Sequence, residues 1–170
     1  MDLTTMLLAA NQNIDVDIYE QDAEPEIEKT MASKNHAKIQ SRLAKILGNA
    51  YDENFDIFTE FEVEIVGKKV IPDVSIYPIE PSDWDNDVIR GDTAPILAIE
   101  ILSPRQAFDE VVTKIKEVYF PAGSKSAWIV LPKTRMIMLF TPDDEIQTFR
   151  KGILQDTASG FDIDLNKVFN

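Results

Sequence analysis

The sequence predicts an α/β domain of the α+β kind, in the order helix, three strands, helix, further strands. Three observations predict it. Apolar residues recur at helical spacing across 39–50, apolar and polar residues alternate with period two across 55–66, and 96–102 is a short apolar run interrupted only by Glu100. At 170 residues the chain suits one domain of about 100–200 residues, large enough to bury a core without staples.

The first helix begins near Ser33. Ile39, Leu43, Ile46, Leu47 and Ala50 share one stripe, and Gly48 marks the expected stop. Lys34, Lys38, Arg42 and Lys45 form a second stripe, centred roughly 115° away at about 100° per residue. It reads either as a solvated face or as a ridge that contacts phosphate. His36 lies near the apolar stripe, where a lone histidine reads as a satisfied group at the core edge.

In 55–66, Phe55, Ile57, Thr59, Phe61, Val63 and Ile65 alternate with Glu60, Glu62 and Glu64, which is a strand with one buried face. Gly67-Lys68 turns the chain and Val70–Tyr77 returns, making a hairpin. Pro72 lacks an N–H, so its position is an edge or a bulge. With the turn at Val66-Gly67, facing residues have numbers summing to about 133, which sets Glu60 opposite Asp73 on one face. Residues 78–93, with Pro78, Pro81, Asn86 and Gly91, read as a loop. Ile96–Leu102 reads as a central strand buried on both faces.

Ser103-Pro104 reads as the cap and first turn of a second helix. Ala107, Val111, Ile115 and Val118 share one of its faces, and Pro121-Ala122-Gly123 ends it. Ala127–Leu131 and Arg135–Thr141 are strands joined by Pro132-Lys133-Thr134, and Pro142-Asp143-Asp144 turns into Glu145–Arg150. The apolar residues of Gly160–Phe169 close the domain. Trp128 and Tyr119 read as core, and Trp84, in an acidic loop, as a partner contact.

Charge and composition narrow the function classes. The formal net charge is −13, but residues 1–28 hold eight acids and no Lys or Arg, so the remainder carries 22 acids against 17 bases. Residues 1–27 are therefore expected to form an acidic, partly flexible arm ahead of one domain over 28–170. The arm reads as solvated, or alternatively as autoinhibitory or partner-binding. The chain contains no cysteine, which excludes disulfides, thiolate metal sites and cysteine nucleophiles. His36 is the single histidine, so no mechanism that needs two is available. No apolar run approaches the ~20 residues of a membrane span. Asp2 stands where a signal peptide carries positive charge. The expectation is a soluble, cytoplasmic protein with no membrane partner.

Three acids carry the chemistry. A carboxylate inside an apolar strand costs several kcal/mol unless it is paired, neutralised or bound to a metal, and Glu100 is such a residue. Asp73 sits between Pro72 and Val74 in the returning strand, and Glu60 lies across from it. Three acids on one face need a cation, a shared proton or basic neighbours. All-oxygen ligands suit Mg²⁺ or Mn²⁺ rather than zinc. The alternative is an acid pair satisfied by Lys or Arg with no metal.

Five pieces of the chain are distinctive: E-K-T-M-A-S-K-N-H-A-K-I-Q at 28–40, F-D-I-F-T-E-F-E-V-E-I at 55–65, I-P-D-V-S-I-Y-P at 71–78, A-I-E-I-L-S-P-R-Q-A at 98–107, and K-I-K-E-V-Y-F-P-A-G-S-K-S-A-W-I-V-L-P at 114–132. Together they resemble the Uma family of restriction endonucleases within the PD-(D/E)XK nuclease-like superfamily, in the same order and across roughly residues 25–169. The resemblance implies a restriction-endonuclease-like fold, a central mixed β-sheet flanked by helices in the order αβββαββ. It implies a Mg²⁺-dependent endonuclease, with Mn²⁺ as substitute, acting on nucleic acid and foremost on DNA. It also implies a homodimer, since the superfamily often pairs to cut two strands. The metal-binding aspartate falls on Asp73 and the second acid on Glu100, with the carbonyl of Ile101 as an extra ligand and Glu60 as the matching acid of the preceding strand.

One departure stands out. The superfamily carries a lysine two residues after the second acid, where this chain has Leu102. The following helix can supply one instead. Lys114 lies about 80° and Lys116 about 120° from the centre of the apolar stripe. Counting forward from Ser103 favours Lys114, whereas counting back from Tyr119 is off by one. Either lysine also reads as a side chain snorkelling from the helix flank. In the family reading His36 faces the cleft and contacts phosphate or a water on the metal; Lys116, and Lys38 and Arg42 of the basic stripe, are the further candidate phosphate or cleft contacts. The missing lysine also admits a catalytically weak or inactive nuclease-fold protein that acts as a binding or assembly module.

Overall fold

The side chain of Ser33 starts helix α1 (Lys34–Tyr51) by accepting the His36 amide at 3.3 Å. The computed structural model describes residues 32–170, so the acidic arm read over 1–27 lies outside the described residues. α1 buries His36, Ile39, Leu43 and Leu47. It runs through Gly48, the expected stop, and is closed by the Asp52 amide on the Gly48 carbonyl. A helical glycine costs only about 1 kcal/mol. The last turn carries Tyr51, whose ring packs edge-on against Phe161 at 5.1 Å, and that contact offsets the cost.

The hairpin forms in the expected register, but it is broken. Its outgoing arm is β1 (Phe55–Thr59) and β2 (Val63–Ile65), and its return is β3 (Lys68–Val70) and β4 (Val74–Pro78). Both pairings keep the sum of 133: Thr59 faces Val74, and Val63 faces Val70. Glu60, expected within one continuous strand, takes a left-handed φ of 54°. On the return arm Pro72 has no N–H to give. The ladder therefore stops between the two pairs, and β2–β3 forms its own small sheet.

The loop after β4 is irregular, as expected, and is pinned at its far end. The Gly91 amide donates to Glu62 O and the Glu64 amide to Gly91 O, both at 2.9 Å. A side chain at Gly91 would meet the Phe61 ring at 2.9 Å and force it to shift.

β5 (Leu97–Ile101) is buried along its whole length. The second helix, α2 (Phe108–Lys114), starts later than Ser103-Pro104. The Leu102 amide still bonds Val130 O at 2.9 Å and the Gln106 amide bonds Ser103 O at 3.2 Å. Residues 103–106 are thus spent turning away from the sheet. Ala107 occupies the cap position, exposed and off the buried face. Ile115–Tyr119 continues α2 as a π-turn.

β6 (Ser126–Leu131), β7 (Met136–Phe140) and β8 (Ile146–Phe149) complete a six-stranded sheet of order β1-β4-β5-β6-β7-β8. Only β5–β6 is parallel, so the sheet is mixed. The tail holds a hairpin of β9 (Ile153–Asp156) and β10 (Phe161–Asp164), then a short helix α3 (Leu165–Val168). The order is therefore longer than αβββαββ, because each hairpin arm splits and the tail adds elements with no strong periodicity.

Two cores flank the sheet. One joins Ile39, Leu43 and Leu47 to Ile99, Trp128, Val130, Phe161 and Val168. The other joins Val111, Ile115 and Val118 to Ala98, Ala127, Ile129 and Phe140. Among the described residues no helix is long and apolar enough to cross a membrane.

Candidate active site

Strand register brings the acids together. β4 and β5 pair with Val74 facing Ile99, so one step further Asp73 comes to face Glu100. The Glu60 amide donates to Asp73 O at 3.3 Å, continuing the β1–β4 register. The three acids thus lie in one row across β1, β4 and β5. Glu60 is exposed, Asp73 half-buried and Glu100 buried.

Asp73 sits in the bend before β4 and is held from two sides. Its Oδ2 accepts the Ile101 amide at 2.6 Å, and its Oδ1 lies 3.0 Å from His36 Nε2. Its carbonyl accepts Gln40 Nε2 at 2.9 Å. The hydrogen bond to Asp73 raises the His36 pKa above 6.5 against the effect of burial, with the charges of Asp73, Glu60 and Glu100 adding to it. His36 Nδ1 is buried without a partner among the described residues.

Both Glu100 oxygens are engaged. Lys114 Nζ donates to Oε2 at 2.9 Å, and the Tyr119 hydroxyl donates to Oε1 at 2.5 Å. Burial pushes the Glu100 carboxyl up; the Lys114 ammonium opposes this, Asp73 reinforces it, and the Tyr119 bond opposes it. Burial, and next the Glu100 charge, hold the Tyr119 phenol well above its ordinary value.

The sequence left two lysines open, and the geometry separates them. Lys114 meets Glu100, whereas Lys116 is exposed and pairs with Asp144 at 2.6 Å. The one-residue mismatch in counting coincides with the π-turn, which holds one residue more than an α-turn. A groove of ≈ 480 Å³ runs past Lys114 between β3 and α2, lined also by Lys68, Lys69, Thr113 and Glu117. Lys38 and Arg42 lie elsewhere, on a groove of ≈ 280 Å³ shared with Arg135. There Arg42 donates to the carbonyls of Val168, at 3.0 Å, and Asn170. Sequence reasoning read Tyr119 as core only and did not single out Gln40. A five-residue spacing from Lys114 does not look like a shared face until the π-turn is known.

Among the described residues no three His, Asp or Glu side chains form a ready metal cage. The donor set does fit a lighter demand. Mg²⁺ is commonly held by one or two carboxylates, with waters and substrate phosphates as the other ligands. Asp73 and Glu100 supply two hard oxygen donors as neighbours across β4 and β5.

A mixed sheet that brings two acids to one end of neighbouring strands, met there by a lysine from a flanking helix, with helices on both faces, defines a nuclease-like α/β fold. The chain belongs to the Uma2 family, described as "Putative restriction endonuclease", which it matches over residues 7–165. It is similar to the crystal structure of "a putative nuclease belonging to DUF820" from Anabaena variabilis, with a TM-score of 0.72, 21% identity and 82% of each chain covered. No curated protein matches the sequence.

Proposed function

We propose that this chain is a divalent-metal-dependent endonuclease that hydrolyses phosphodiester bonds in DNA. The observation that carries the reading is the meeting of Asp73, Glu100 and Lys114 at one end of the central strands, with Lys114 Nζ 2.9 Å from Glu100, in a chain of a restriction-endonuclease family. Asp73 and Glu100 would hold Mg²⁺, or Mn²⁺ in its place, with the Ile101 carbonyl and Glu60 as further candidate ligands. The bound ion supplies a Lewis acid for the phosphate and lowers the pKa of water.

The chain's own groups do the rest. His36 fixes Asp73 Oδ1 from α1 and holds a proton at the carboxylate. The Ile101 amide fixes Oδ2. Lys114, 2.9 Å from Glu100, would offer its ammonium to the charge that grows on the phosphate. In this reading Lys68, Lys69 and Lys114 meet the strand along one groove, which Glu110 and Glu117 also line. Lys38 lies on a separate groove, while Lys116 is paired with Asp144 and Arg42 with the carbonyls of Val168 and Asn170. The proposal extends to a homodimer that presents two such sites to the two strands of a duplex.

The test is plasmid cleavage with Mg²⁺ or Mn²⁺. Wild type nicks or linearises the plasmid, chelator stops it, and D73A and E100A lose at least about 100-fold, as expected for ligands whose mere supporting contacts are worth 10–100-fold. Equal cleavage by wild type and both variants overturns it. A second reading, a silent nuclease fold used as a binding module, is favoured by one observation: every oxygen of Asp73 and Glu100 already has a partner. It predicts no Mn²⁺ binding that depends on Glu100.

A further inference from the structure

We propose that Tyr119 is a positioning residue for Glu100. With Lys114 it grips the two oxygens of that carboxylate, and the π-turn Ile115–Tyr119 is the device that lets both side chains reach it. The consequence for the reaction rests on the nuclease reading above, whereas the geometry does not.

Lys114 and Tyr119 are five residues apart. In a regular α-helix such residues diverge by about 140°, so one could meet Glu100 only at the other's expense. Here the Phe120 amide reaches back five residues to Ile115 O at 3.1 Å. The extra residue in that turn returns Tyr119 to the relation of an i,i+4 pair with Lys114. Lys114 then takes Oε2 and Tyr119 takes Oε1. Single π-turns inside helices are rare and gather at functional sites.

Packing alone does not call for this arrangement. Phenylalanine at 119 would bury the same ring, and apolar residues at 100, 114 and 119 would suit the surrounding core, because replacing a buried charged group by well-packed apolar ones is often neutral or stabilising. A buried phenol does require an acceptor, and here that acceptor is the carboxylate proposed to bind the metal. Contacts of this kind orient a ligating carboxylate, and losing one lowers metal affinity or activity by about 10–100-fold.

The experiment uses the full chain and Y119F, which removes the hydroxyl and keeps the ring. Mn²⁺ affinity is read by calorimetry, and kcat and KM by plasmid cleavage. Y119F is expected to lose about 10–100-fold in Mn²⁺ affinity and in kcat, with KM for the plasmid unchanged. A merely structural tyrosine would lower the thermal midpoint and leave Mn²⁺ affinity intact. Wild-type Mn²⁺ affinity and kcat in folded Y119F overturn the proposal. A second measurement separates the two readings. On the metal-free chain, the denaturation midpoints of wild type, Y119F, E100Q and the double variant form a cycle. If wild type neither binds Mn²⁺ nor cleaves, the nuclease reading fails and the cycle alone decides: non-additive midpoints support the Tyr119 grip, and additive midpoints overturn it.

Discussion

At the scale of single residues, the site is a set of buried charges that answer one another. Glu100 is buried, so its carboxylate stands on Lys114 and Tyr119. His36 stands in the same relation to Asp73. Because the folded His36 pKa lies above 6.5, its pairing stabilises the metal-free fold fully below pH 6.5 and is lost as pH rises through the raised value. The chain has one histidine, so its ring resonance is unambiguous in a proton NMR titration. The midpoint is expected above 6.5 in wild type and lower in D73N; equal midpoints would contradict the pairing. The sequence marked these residues because acids in an apolar strand demand a reason. It left the partners open, because His36 and Lys114 arrive from two helices on opposite faces of the sheet.

At the scale of elements, α1 shows local signals both working and failing. Ser33 caps it as its type suggests, and S33A is expected to cost about 0.5–2 kcal/mol in urea denaturation. Gly48 looked like a stop and is interior. An added Cβ there meets nothing within 4 Å, so G48A is expected to stabilise the chain by up to about 1 kcal/mol. A loss of stability in G48A would show the glycine to be required by something other than helix geometry. The Ser103-Pro104 pair failed for the opposite reason. Its residues suit a helix start, but the crossover from β5 needs room before α2 can lie down on the sheet.

At the scale of the whole molecule, one buried acid fastens the tail to the sheet. Asp156 is 1% exposed. Its carboxylate accepts Trp128 Nε1 at 2.8 Å, the amides of Ala158 and Ser159 at 3.1 Å each, Ser159 Oγ at 2.6 Å and Ser126 Oγ. It thereby ties the β9–β10 turn to β6. D156A would orphan several buried donors at once, each costing about 1–3 kcal/mol. The expected loss is at least about 3 kcal/mol of unfolding free energy; a loss under 1 kcal/mol would show water or a rearranged turn taking its place. Nothing in the sequence singled out Asp156, since a lone acid before a Thr-Ala-Ser-Gly turn looks solvated until Trp128 is seen above it.

The sequence by itself determined the local periods, the hairpin register of 133 and the presence of acids that an oily strand cannot hold unaided. Those depend on neighbours a few residues apart, or on a turn that fixes pairing by simple counting. Only the tertiary structure decided which lysine meets Glu100, that a tyrosine shares it, that Asp73 faces Glu100 across β4 and β5, and that Arg42 spends its guanidinium on the chain's last carbonyls. Each of these depends on how two elements far apart in sequence are brought together, and on one inserted residue in a helical turn that shifts every later side chain by about 100°.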